Sequence, residues 1–162
     1  MATLRQIKGK EVTRLIPGKM YIYRYMASSD TKYYNKFPLI FMLRKRKGLY
    51  EGIDFHYLAP KERIKLFENM RPFFSTTDII TEKTILFAKA FQKIIQISKK
   101  FRGAKVSFRK YKKDNIKSKI IEINPSDWLL SLEQPAEMFI TNAGKKVNSM
   151  LVWKDSLVKQ RQ

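Results

Sequence analysis

From Met20 the chain alternates. Tyr21, Tyr23 and Tyr25 fall on one side and Met20, Ile22 and Arg24 on the other, a two-residue period with aromatic and β-branched content that predicts a strand. After a loop-like ASSDTKYYN, the run Phe37–Leu43 predicts a second strand, with Pro38 marking an edge or bulge near its start. Arg44-Lys45-Arg46-Lys47-Gly48 reads as a charged hairpin tip, and LYEGIDFHYL returns as a third strand. Gly52 inside it signals a bulge or a close backbone approach. Three short strands in succession predict an antiparallel meander, part of a small sheet or partly open barrel.

The period then changes. Pro60 suits the first position of a helix, and KERIKLFENM puts Ile64 and Phe67 on one side. From about Asp78 to Lys100, Ile80, Phe87, Ala88, Phe91, Ile94 and Ile95 recur at helical spacing, predicting a long amphipathic helix that Asp78 or Thr81 can cap. KIIEI (Lys119 to Ile123) reads as a fourth strand, NPSDW opens a short helix, and Leu151, Val152 and Trp153 are apolar enough to dock on the domain or a partner. The expected fold is α+β: residues 1–16 a basic arm, 17–139 one domain, 140–162 a basic tail.

Composition changes the picture in one respect. An apolar content of 44% supports a buried core, yet 34 Lys and Arg against 14 Asp and Glu leave a net charge of +20. Like charges at that density weaken the compact state and call for an anionic partner. Nucleic acid leads, because each phosphate neutralised releases condensed counterions. The cations also cluster. Arg5, Lys8, Lys10 and Arg14 line the N-terminal arm, Arg44, Lys45, Arg46 and Lys47 the hairpin tip, and the region after the long helix is densest. There Lys99, Lys100, Arg102, Lys105, Arg109, Lys110, Lys112 and Lys113 can contact phosphates, with Tyr111 placed to stack on a base or to anchor the loop. The five tyrosines Tyr21, Tyr23, Tyr25, Tyr33 and Tyr34 admit the same two readings, stacking platform or sheet core.

Chemistry is thinly represented. No cysteine and a single histidine exclude thiolate zinc and histidine-rich metal centres. His56 beside Asp54 is a candidate general base without a nucleophile, better read as a structural histidine. Glu122 lacks the acid-x-lysine companion of metal-dependent nucleases, MYIYRYM lacks the glycines of the Gly-Ile-Tyr nuclease pattern, and no phosphate loop of the G-x-x-x-x-G-K type occurs. The expectation is a binding protein with no catalytic residues, no cofactor and no small-molecule substrate. The N-terminal residues lack a signal-peptide core, and no apolar run approaches the roughly 20 residues of a membrane span, so neither secretion nor a membrane partner is expected.

One resemblance adds to this. Gly18, Met20, Tyr21, Tyr23 and Tyr25, then Tyr33, Tyr34, Phe37, Pro38 and Leu39, then Gly52, Phe55, His56, Tyr57 and Leu58, with Trp128 later, resemble small basic proteins of large tailed bacteriophages: DNA end protectors or virion accessory proteins. Asn35 stands where that pattern has aspartate, and Asp54 where it has asparagine. The resemblance implies binding to the ends of a packaged genome to protect them from exonucleases. Because phosphate contacts read no bases, the expected binding is largely sequence-independent, of nucleic acid with duplex DNA favoured, in the virion or host cytoplasm. The alternative from another class is a structural component of the phage particle, in capsid, neck or baseplate, held by basic arms to neighbouring subunits.

Overall fold

A computed structural model describes residues 7–27, 32–71, 92–93, 96, 101 and 104–161. Apart from residues 92, 93 and 96, which are helical, the helix expected over 78–100 lies outside these residues, as do Arg5, Lys99, Lys100 and Arg102. The described chain is α+β.

A six-stranded sheet is its centre. The strands are β1 (Gly9–Val12), β2 (Met20–Ile22), β4 (Leu39–Arg46), β5 (Leu49–Asp54), β6 (Phe108–Lys112) and β7 (Ile120–Ile123), in the spatial order β1-β7-β2-β4-β5-β6. Every pairing is antiparallel. The meander β2-β4-β5 is as expected. Two assignments change. Residues 9–12, expected in a loose arm, form an edge strand on β7, and Leu15 just beyond them is buried. Phe108–Lys112, expected to be irregular, is the other edge strand. The β4–β5 hairpin gives β6 a template of backbone donors and acceptors, and satisfying them outweighs the absence of an apolar run in FRKYK.

Pro38 precedes β4, which lies inside the sheet rather than at an edge. The bulge falls on β4 instead, between Met42 and Arg44. Gly52 marks a close approach: a Cβ there would sit 2.8 Å from the Phe41 carbonyl oxygen.

The alternation in MYIYRYM separates two cores. Met20, Leu39, Phe41, Leu43, Ile53 and Ile123 pack on Leu66, Phe67 and Met70 of α1 (Pro60–Met70), and on Trp128 and Leu132 at the start of and within α3 (Trp128–Glu133). The single-turn helix α2 (Ala104–Ser107) adds Ala104. Each such side chain contributes about 1.5–3 kcal/mol on burial. The opposite face carries Tyr21, Tyr23, Tyr25, Ile40, Met42, Tyr50 and Tyr111, closed over by Leu15 and Ile116. Tyr23, Tyr25 and Tyr111 meet edge to face, with ring centroids 4.9–6.4 Å apart. The tyrosines on this face are therefore core, and their rings are not presented for base stacking.

A smaller sheet, β3 (Tyr34–Asn35), β8 (Phe139–Ile140) and β9 (Lys146–Val147), in the order β3-β8-β9, flanks the first. The C-terminal segment, expected as a tail, forms α4 (Ser149–Arg161). Val152 is buried and the Trp153 indole donates to the His56 carbonyl, as docking requires, whereas Leu151 points outward.

Arg63 ties these parts together. Fully buried on α1, it donates through Nε to the Phe55 and Leu58 carbonyls, through Nη1 to those of Leu132 and Gln134, and through Nη2 to Glu137 at 3.0 Å. Buried charge is tolerated because nearly every donor is used.

Candidate nucleic-acid interface

The sheet register decides which cations meet. Arg44 pairs with Glu51, which pairs on its other side with Lys110. One row further toward the tip, Arg46 pairs with Leu49 and Leu49 with Lys112. Directly opposed residues share a face, so Arg44, Arg46, Lys110 and Lys112 surround Glu51 and Leu49 on one surface of β4-β5-β6. This surface continues the helix-packed core face beyond Leu43, Ile53 and Phe108. Gly48, at φ +72°, closes the tip in a backbone region that favours glycine. Its carbonyl accepts from Lys113 N–H at 3.2 Å, which holds the Lys113 backbone against the tip. Lys45, Arg46, Lys47, Lys110, Lys112 and Lys113 are all exposed.

Glu51 organises the surface. It is buried to 8% exposure, accepts from Arg44 Nε and Nη2 at 2.6 Å each, and lies 3.6 Å from Arg46 Nε. One carboxylate thus fixes the Arg44 guanidinium and draws Arg46 near it without cancelling the local positive charge. Between these cations, with Leu43 and Phe108 as its apolar wall, lies an open depression of about 220 Å³.

Other expected contacts fall elsewhere. Lys45 turns to the opposite face, its ammonium 5.9 Å from the Tyr50 ring centroid. Arg109 alternates away from Lys110, its guanidinium carbon 4.7 Å from the centre of the Tyr57 ring. Tyr111 cannot stack on a base here: it is 4% exposed and its hydroxyl donates to Asp54 at 3.3 Å. An aromatic on a strand edge carries no sequence signal for which face it takes; the register with Tyr50 turned it inward. Lys105 is exposed on α2. Lys8 and Lys10 accompany β1 at the far edge of the sheet, with Lys10 3.5 Å from Glu122. The hairpin tip and residues 109–113 are therefore contiguous, and the N-terminal cations are separate from them. Lys117 and Lys119 are exposed on the crossover from β6 to β7, Lys119 3.3 Å from Glu11 of β1 and so on the N-terminal side of the sheet.

Asp54 and His56 form part of a sealed polar knot. Asn35 Oδ1 accepts from the Phe37 and Met138 amides, which orients its Nδ2 to donate to Asp54 Oδ2 and to His56 Nδ1, both at 2.9 Å. Asp54 Oδ1 accepts from the Leu39 and His56 amides. Burial pushes the Asp54 carboxyl up to about 6, against the lowering effect of the Asn35 bond. Burial, with Arg63 nearby, holds His56 well below its usual range. Both side chains are fully buried, which suits a structural part rather than a general base. Asn35 and Asp54, the two departures from the resembled pattern, are hydrogen-bonded to each other here.

The fold and its surface define a small, strongly basic α+β protein whose cations gather at one end of a sheet. Residues 1–156 match the family described as Phage T4 terminal DNA protecting protein, and the chain belongs to that family. The kinship suggested by the tyrosine and Gly-x-x-Phe-His-Tyr-Leu positions is thereby established. No curated protein and no solved structure matches the chain. Among the described residues no helix is long and apolar enough to cross a membrane, and no group of three or more His, Asp or Glu could hold a metal ion.

Proposed function

We propose that the protein protects DNA ends without catalysis, by binding duplex DNA next to its terminus and blocking nuclease access. The β4–β5 tip, β6 and Lys113 form the binding surface. The observation that carries this is the register, which joins Arg44 and Arg46 to Lys110 and Lys112 on one face. Family membership supports the terminus as the target. Phosphate contacts position a protein without reading bases, so binding is insensitive to sequence and steeply dependent on salt. The test is exonuclease digestion of a linear duplex with and without the protein. The expected outcome is protection by the native chain and its loss when Arg46, Lys110, Lys112 and Lys113 are replaced by alanine. Unchanged protection by that folded variant would refute the assignment.

One observation favours a second reading, a structural subunit of the phage particle. On α4, Met150, Leu151 and Val158 are 61%, 62% and 54% exposed, apolar surface of the kind that neighbouring subunits cover. Light scattering on the purified chain separates the readings: self-association favours the subunit, a monodisperse monomer or dimer the DNA binder.

A further inference from the structure

We propose that the depression beside Glu51 seats the terminal phosphate of a DNA strand, with the last deoxyribose resting on Leu43 and Phe108. This rests on the end-protection reading above and names what makes an end recognisable. Arg44, Arg46, Arg109 and Lys110 line the depression together with the Glu51 carboxylate and those two apolar residues, and its volume of about 220 Å³ accommodates a phosphate and a sugar. Glu51 holds the Arg44 guanidinium at 2.6 Å and lies 3.6 Å from Arg46 Nε, so Arg44 is positioned before a ligand arrives and Arg46 is kept near it by charge. A guanidinium has five donors in a planar fork, and engagement of one edge by a carboxylate leaves Arg46 donors for a phosphate.

Two physical differences separate a terminal from an internal phosphate. A phosphomonoester carries nearly two negative charges at neutral pH, because its second pKa is about 6, whereas an internal diester carries one. A cleft with apolar walls focuses the field of its charges, so the second charge is rewarded more there than on an open lysine surface. Shape acts in the same direction. An internal diester is held between two nucleotides and rides across the mouth, while the last phosphate of a strand is tethered on one side only and can enter. The exposed lysines Lys112 and Lys113 supply general attraction along the backbone; the depression supplies the distinction between an end and an interior.

The test uses the full chain and fluorescent DNA of one sequence in four forms. Three are hairpin duplexes with a single blunt end bearing a 5′-phosphate, a 3′-phosphate or only hydroxyls; the fourth is a closed dumbbell without ends. One added charge-assisted contact of about 1.5 kcal/mol corresponds to about tenfold in affinity. One phosphorylated end is therefore expected to bind about tenfold tighter than the hydroxyl end, and which one does so identifies the strand polarity. Lys110→Ala and Arg46→Gln should each reduce that preference severalfold, with circular dichroism confirming the fold. If all open ends bind alike but better than the dumbbell, the phosphate seat is overturned and end protection stands. If the dumbbell binds as well as every open form, both fall. If the preference survives in both variants, the phosphate sits elsewhere and the proposal fails.

Discussion

Replacing Lys110, Lys112 and Lys113 together by alanine, and Arg109 alone in a second variant, separates charge that meets DNA from charge that serves the fold. In sequence the four are one cluster. In the structure Lys110, Lys112 and Lys113 are exposed, whereas Arg109 is half-buried with its guanidinium 4.7 Å from the Tyr57 ring centre. Each phosphate neutralised adds about 0.9 to the slope of log affinity against log salt, so the triple change should flatten the slope by about 2.7. Over a fourfold rise in salt, that slope difference corresponds to about a fortyfold smaller loss of affinity. Arg109→Ala should leave the slope within about 0.5 of native, and instead lower stability by about 1–2 kcal/mol through the lost contact with Tyr57. Fluorescence anisotropy with a 20-base-pair duplex, from 50 to 200 mM salt, measures the first quantity, and urea denaturation the second. An Arg109 variant that flattens the slope as each lysine does, with unchanged stability, would refute the alternation on which the interface rests. An unchanged slope in the triple variant would move DNA binding off this face.

Two further outcomes concern the polar knot. Asn35→Asp sets two buried carboxylates against each other and Asp54→Asn two amides, so each single change should destabilise, while Asn35→Asp with Asp54→Asn together should recover about 1–3 kcal/mol of the summed loss in a double-mutant cycle; additive losses would show that the pair does not act as a unit. The pH dependence follows from signs. His56, held below its ordinary value in the fold, supplies stability that is present above the unfolded value of 6.5 and lost as pH falls below it. Asp54, raised from 3.8 to about 6, supplies stability present below 3.8 and lost as pH rises through about 6. Between pH 4 and 6 the two therefore offset, and Asp54→Asn should expose a decline with falling pH of up to about 1.4 kcal/mol per unit that the native chain lacks. Urea midpoints at pH 7, 6 and 5 check this; parallel profiles for the two proteins would refute it.

Local order along the chain is decided by neighbours close in sequence, and that much the amino acids determined unaided. The two-residue period of MYIYRYM assigned Tyr21, Tyr23 and Tyr25 to one face and Met20 and Ile22 to the other, and both faces are as assigned. Pro60 began α1, the hairpin closed at Gly48, and a charge of +20 set the class of partner to consider. Only the tertiary structure decided how these pieces meet. Whether FRKYK is a solvated loop or a strand depends on a partner more than 50 residues earlier in the chain, and its own residues give no period to read. The pairing with β5 then turned Lys110 and Lys112 outward beside Arg44 and Arg46, and Arg109 and Tyr111 away from them. The same holds for Arg63, which periodicity alone gives no reason to bury; its acceptors come from residues 55, 58, 132, 134 and 137, and a buried cation is stable only once all of them converge. Composition supplies the charges, and long-range register decides which of them share a face.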